Sequence, residues 1–356
     1  MKIINDYQSY DDYVKKANEN FRPKLKKVLD KHNETLKLMV KKRKIAIYFG
    51  IAAGIIGFLD FILYLFLFKQ IFLKMGLILI LVIAAIAIIL GIICFYKLLS
   101  IKNTIKILSK QITRDFNATE TYKEAIQVLD RGMEYLGSVS DNVSNLKISI
   151  SEIKNFTPVE IIGASTAQIY AIRPTHQLLI DKKYKVCFTN VHWRWKVKTK
   201  DEWITEESFT GILKIDTRIL AEKAFDFRLL SSPNFFEKFF KKDVIKLENN
   251  EFNKVFRPQT GDELKIRKMY TPLAMELSLK RYFDTKGVSV SNVKIESNSK
   301  FLYFTYNVDW NFMYLDFPKT VKNPESFLKE IFDDFITDTY SLYYILSLIY
   351  ITLYLD

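Results

Sequence analysis

The chain reads as an α+β protein carried on a two-helix transmembrane hairpin, with a cytoplasmic helical stalk and a mixed, mainly antiparallel sheet domain. Three observations predict this. Two apolar runs, Ile45–Phe68 and Met75–Tyr96, are interrupted by one charge, Asp60. At about 1.5 Å per residue each can cross a hydrocarbon core about 30 Å thick. Apolar stripes at helical spacing flank the runs on both sides, and beyond Pro158 the apolar period changes from 3.6 to two.

The segment 1–44 is expected to be a cytoplasmic, helical N-terminal region. Pro23 marks a helix start, after which Leu25, Val28 or Leu29, His32, Leu36 and Met39 recur at steps of three and four. The hairpin follows over 45–96. Behind it Leu98, Ile101, Ile105, Leu108 and Ile112 repeat the stripe. A stalk over 97–156 is predicted, in which the helices flanking the hairpin zip together; packing of each stripe on the downstream domain is the alternative. The helical pattern continues through Tyr122, Ala125 or Ile126, Leu129, Met133 and Leu136, then Val139, Val143, Leu146, Ile150 and Ile153, with a break or kink at Gly137 and Ser138, and Pro158 ends it.

The α+β domain occupies 157–356. Strands are expected at 167–172, 184–188, 191–198, 209–215, 224–230 and 243–247, from their β-branched and aromatic content. In the clearest, Val191, Trp193, Trp195 and Val197 should face a core, with His192, Arg194, Lys196 and Lys198 in water. A helix over 262–283 has Thr271 as N-cap and Pro272 at its first position. A hairpin follows over 288–296 and 300–309, with a further strand at 312–317. The last helix starts at Asn323. Its uncharged end, Tyr340–Leu355, is shorter than the roughly 20 residues a span requires, and its tyrosines suit a packed or interfacial helix.

The net charge of +13 is unevenly spread. Met1–Lys44 holds 13 basic and 6 acidic residues, Lys97–Arg114 holds 5 basic and none acidic, and Asp115–Asp356 holds 33 of each. The basic character belongs to the membrane flanks, so nucleic acid, which calls for a basic patch on the folded domain, is disfavoured as a partner. Lys and Arg accumulate on the cytoplasmic side of membrane helices. Both termini are therefore expected in the cytoplasm, and the protein in the cell membrane as a multi-pass chain. Lys41, Lys42, Arg43, Lys44, Lys97 and Lys102 are candidates for contact with anionic lipid, worth about 1 kcal/mol each. The two cysteines, Cys94 and Cys187, are too few for a disulfide framework. No cleavable leader is expected, because the first apolar run lies behind 44 mostly polar residues.

A strand opening Phe209-Thr210-Gly211, the run Leu247–Phe252 leading to Phe256, the segment Tyr270-Thr271-Pro272-Leu273-Ala274-Met275-Glu276 and the strand Phe301–Tyr306 follow in order. In these the chain resembles an uncharacterised bacterial family of membrane proteins known only as a domain of unknown function. The resemblance implies two N-terminal transmembrane helices followed by a cytoplasmic α+β domain. It implies no activity, cofactor or site residue. Read physically, these residues specify packing: Phe252, Val255 and Phe256 cap a core, and Leu273, Leu277 and Leu279 form the inner face of a helix.

Asp60 is the foremost candidate site residue, because a carboxylate inside hydrocarbon costs roughly 2.5 to 3.5 kcal/mol and is normally paired or functional. Gly50, Ala53 and Gly57 share its helical face, opposite Ala84, Ala87, Gly91 and Cys94. Small residues of this kind allow close helix approach. The second run offers Asp60 no polar partner, so homo-oligomerisation or association with another membrane protein through this face is expected, a protonated and merely tolerated acid being the alternative. No catalytic, metal or cofactor motif is present. Cys187 and His192 do not constitute a dyad by proximity alone. The leading reading is a membrane-anchored binding or scaffold module, with no cofactor and no enzymatic motif. An accessory subunit of a channel or transporter using Asp60 is the alternative, and a membrane-bound hydrolase comes third.

Overall fold

The structure, a computed structural model, describes residues 7–68, 74–138, 146–158, 161, 166–200, 202–230 and 244–355. It comprises two compact units. The smaller is Arg22–Asn117 with Asp316–Asp333, and the larger is Met1–Phe21, Ala118–Leu315 and Asp334–Asp356.

Helix α1 (Tyr10–Asn20) belongs to the larger unit, while α2 (Arg22–Lys31), α3 (Asn33–Phe68) and α4 (Lys74–Asp115) build the smaller. Neither α3 nor α4 contains proline, so nothing interrupts their hydrogen-bond ladders. Leu25, Val28 and Leu29 of α2, Leu36, Met39 and Ala46 of α3, and Ile101, Ile105, Leu108 and Ile112 of α4 are buried. Leu98, placed in the same stripe by its spacing, is instead 42% exposed. An α-helix drifts against a 3.5-residue repeat, and one turn before Ile101 the inward position has passed to half-buried Lys97. Helices α3 and α4 run antiparallel: His32, just before α3, has Nε2 3.8 Å from Asp115 Oδ2 at the end of α4, and Lys42 Nζ donates to Ser100 Oγ at 3.3 Å.

Past Ala46 on α3 and before Ile101 on α4, burial ends. The best apolar windows of the two helices have mean hydropathies of 2.1 and 3.4, yet only 6% and 0% of each is buried. Both are long and apolar enough to span a membrane. Neither serves as a core helix over that length, since a core helix would hide such side chains.

The larger unit adds helix α5 (Ala118–Leu129), strand β1 (Met133–Ser138), helix α6 (Ile150–Asn155), strands β2 (Gln168–Ile172), β3 (His176–Ile180), β4 (Tyr184–Lys198), β5 (Trp203–Asp216) and β6 (Asp226–Leu229), helix α7 (Asn250–Phe256), strand β7 (Gln259–Thr260), helices α8 (Glu263–Met269) and α9 (Pro272–Phe283), strands β8 (Ser291–Asn298) and β9 (Phe301–Asn307), and helix α10 (Pro324–Tyr350), whose residues through Asp333 belong to the smaller unit. Among the described residues the strands form one antiparallel sheet in the order β1-β3-β4-β5-β9-β8-β6-β7, with β2 also on β4. The fold class is thus mixed helix and antiparallel sheet.

Register gives each sheet face its character. The row Phe188, Leu213, Phe304 and Ile295 is buried. On that side Tyr184 Oη donates to the carbonyl of Leu355 at 2.7 Å, and Tyr354 meets Ser297 at 3.1 Å and the ring of Phe227. The opposite face carries a polar row, Gln177, Cys187, Lys214, Tyr303, Glu296 and Arg228, under α6. Further along that face, Val191, Trp193, Trp195 and Ile212 pack on Ile153 and Ile161. Gly211 sits opposite Tyr306, whose ring lies where a Cβ would be, 2.0 Å from Cε2. The glycine of the Phe-Thr-Gly sequence therefore makes room for an aromatic ring.

Several expectations are corrected. Met133–Ser138 is a strand, not helix: Asp130 turns the chain by accepting from Gly132 N at 2.7 Å, and Met133 pairs with Ile180. Tyr135 then points inward where the helical stripe had Leu136. Val139 and Val143 lie outside the described residues. The expected strands 184–188 and 191–198 are one, β4, and the strand at 209–215 starts earlier, at Trp203. At 243–247 there is only a single bridge, Val244 to Gln259, and 312–317 is turn. The helix over 262–283 breaks into α8 and α9 because the Thr271 cap starts a new helix, its side chain accepting from Ala274 N. Leu273 is 52% exposed, and the inner face is Ala274, Met275, Ser278, Leu279 and Arg281.

Candidate functional site

Buried polar atoms without partners occur at several places among the described residues, and two of these lie beside open space. The first is the α3–α4 face. Gly50, Ala53, Gly57 and Asp60 are all half-buried, turned away from the exposed ridge of Tyr48, Ile51, Phe58 and Leu59. A Cβ on Gly50 would lie 3.3 Å from Cys94 Sγ, whereas Gly57 and Gly91 have open space around theirs. Among the described glycines of α3 and α4, Gly50 is thus the point of close approach within the pair. Asp60 Oδ1 is buried and has no hydrogen-bond partner among the described residues. Lys41, Lys42, Arg43 and Lys44 precede the exposed apolar belt of α3, and Lys97 and Lys102 follow that of α4, near the buried residues Ala46 and Ile101.

The second place is a cleft of about 990 Å³ between α6 and the edge strand β2, a volume typical of small-molecule sites (roughly 300 to 1,000 Å³). Ile150, Ile161, Ala167, Ile169 and Ile172 line it with aliphatic surface, and Trp193 forms part of its wall. Trp193 is 3% exposed, and its Nε1–H, which a buried indole normally hands to an acceptor, finds none among the described residues. Lys154 contributes the charge of the lining. The cleft exists because β2 is held to β4 by Thr166, whose hydroxyl accepts from Lys196 N at 2.9 Å, and because a bulge between Ile169 and Ala171 bends the strand.

Beside it, α6 is fixed by chemistry that excludes reactivity. Glu152 closes a capping box with Ser149 and receives Lys214 Nζ at 2.6 Å and Tyr303 Oη at 2.5 Å. Although burial opposes its charge, these bonds hold the carboxyl at a pKa of about 2. Cys187 is buried next to Lys214, and burial pushes its thiol up to about 12, far from a nucleophilic thiolate. Cys187 and His192 stand on opposite faces of β4, which removes any dyad.

His192 itself corrects the two-faced reading of this strand. It is buried under Tyr170, Phe209 and Trp310, with Nε2 at 3.2 Å from Glu207. Arg194 stacks on Tyr170 at 3.6 Å, and Lys196 and Lys198 remain exposed. Among the described residues no group of His, Cys, Asp and Glu could hold a metal ion. Arg281 was not foreseen: it is fully buried, bonded to Ser347 Oγ at 2.6 Å and to Tyr340 Oη at 3.2 Å, and boxed by the rings of Tyr7, Tyr343 and Tyr344. Its Thr271-capped helix was legible, but the inward turn of a cation was not. No family model, curated protein or solved structure matches the chain.

Proposed function

We propose that the chain is a membrane-anchored binding or scaffold module. α3 and α4 form a transmembrane hairpin, their inner ends form a cytoplasmic stalk, and the sheet unit is the cytoplasmic working part. The observation that carries this is the exposed apolar belt of both helices: side chains such as Phe58 and Phe95, each 63% exposed, require a nonaqueous surrounding. Asp60 supports assembly through the same segment. Its buried, unpartnered oxygen is best satisfied by a second copy or another membrane protein. The basic residues at the inner ends of both helices support cytoplasmic termini, and the family resemblance is in keeping with this topology.

The test uses the full chain in native membranes. Resistance to alkaline extraction, with protease reaching a tag inserted between Lys69 and Lys74 only from outside the cell, is the expected result. Release by alkali overturns the anchor, and cleavage of that tag from the cytoplasmic side overturns the topology. Cross-linked oligomers should weaken in Asp60→Leu; an unchanged ladder removes the assembly role.

A further inference from the structure

We infer that the cleft between α6 and β2 binds a fatty acyl chain, an inference that rests on reading the sheet unit as a binding module and names its ligand. Three features of the wall set the chemistry. Its apolar part is mostly aliphatic, from Ile150, Ile161, Ala167, Ile169 and Ile172 beside the rings of Tyr170 and Trp193, which favours a flexible hydrocarbon chain. The Trp193 indole N–H is enclosed and has no partner among the described residues, and the residue forms part of the wall, close to any chain held in the cleft. Lys154 is exposed and supplies a positive charge for an acidic head group. Ile150 and Ile172, 60% and 39% exposed, leave apolar surface at the mouth where a chain can enter. A free fatty acid and a phospholipid share this chemistry, and both are supplied by a membrane.

The experiment is fluorescence quenching of the full-length protein in an uncharged detergent by dibromostearate, since bromine quenches tryptophan only at close range. Saturable quenching is expected, lost in Trp193→Phe. Ala167→Phe, which fills the cleft without adding an indole, should weaken binding by about tenfold or more. Lys154→Glu changes an exposed residue and leaves folding intact; it should weaken the acid about fivefold, the scale of one exposed ion pair, and leave a brominated fatty alcohol unaffected. Repeating the titration with brominated phosphatidylglycerol in nanodiscs separates the sources: quenching there and not by the free acid assigns the site to phospholipid. Equal quenching of wild type, Ala167→Phe and Lys154→Glu overturns the proposal. Native mass spectrometry of the same samples separates the two levels. A non-lipid mass that Ala167→Phe loses overturns the acyl ligand but keeps the binding module, whereas no bound mass and no quenching overturns both.

Discussion

Two uncharged stretches of this chain, both rich in Ile and Leu, meet opposite fates. Ile78–Tyr96 keeps Ile78, Ile88 and Phe95 at least 60% exposed, whereas in Tyr340–Tyr350 Ile345, Leu346, Leu348 and Ile349 are inaccessible. The difference lies in the polar residues between them. The buried stretch is punctuated by hydroxyls, several of which bind neighbouring elements: Tyr344 Oη donates to the carbonyl of Tyr282 at 2.9 Å, Ser341 Oγ accepts from Ser289 N at 2.8 Å, and Ser347 Oγ receives Arg281. The exposed stretch has no Ser, Thr, Asn or Gln. A helix covered by protein can use side-chain hydrogen bonds to fix its neighbours, while one covered by lipid has nothing to offer them to.

The sharpest way to break this comparison is to place the same charge in each stretch. Ile345→Asp puts a carboxylate in a closed core and should cost more than about 4 kcal/mol, read as loss of cooperative unfolding or of soluble expression of the fold. Ile88→Asp should leave thermal unfolding of the sheet unit unchanged and reduce membrane-integrated protein, consistent with an insertion cost of roughly 3 kcal/mol. Equal membrane integration of Ile88→Asp and wild type would mean that the exposed belt does not face lipid.

The same contrast explains what could be read in advance. The long apolar helices, the Thr271 cap, the β8–β9 hairpin and the Trp193–Trp195 core face follow from local rules of length, capping and alternation, and they are legible. β3 was missed because His176–Ile180 is buried on both faces and so shows no alternation. β1 was taken for helix because Met133 and Leu136 also fit a helical step, and only the pairing with β3 decides. The cleft was invisible for a different reason: its walls come from α6, β2 and β4, and a partnerless indole N–H is a property of three-dimensional surroundings, not of a tryptophan in a strand. Asp60 could be singled out by its chemistry alone, yet the open space beside Gly57 could not.

A second prediction concerns the polar groups that the sheet unit has enclosed. His176 bonds through Nδ1 to Tyr135 Oη at 2.5 Å and stacks on Phe188, and burial, aided by the charge of Arg173, lowers its pKa to about 3. The unfolded chain, titrating near 6.5, then binds more protons than the folded one below that pH. Stability is fully present above about pH 6.5 and is lost as pH falls toward 3, at about 1.4 kcal/mol per pH unit, or roughly 2 kcal/mol at pH 5. Denaturant melts of wild type and His176→Phe should therefore converge between pH 7 and 5, the variant being less stable at neutrality and less acid-sensitive. Parallel pH profiles would show that His176 is not buried as a neutral ring.

The smallest effects are expected inside the exposed pair, and they separate packing within the chain from packing between chains. At Gly50 an added methyl must displace Cys94 Sγ by a few tenths of an ångström, so Gly50→Ala should destabilise the helix pair in detergent by about 1 kcal/mol, overpacking of roughly 2 kcal/mol less the ~1 kcal/mol that alanine gains as a helix former, measured by thermal unfolding of the smaller unit. At Gly57 the same methyl meets nothing within 4 Å. Gly57→Ala should leave that unfolding unchanged or raise it slightly, because alanine is the better helix former by about 1 kcal/mol. Its effect should appear instead in cross-linking, where a methyl on the face shared with Asp60 obstructs a neighbouring helix that needs close approach. If Gly57→Ala changes neither property while Gly50→Ala still loosens the pair, the face bearing Asp60 is turned to lipid, and the association proposed for it has to be sought elsewhere on the chain.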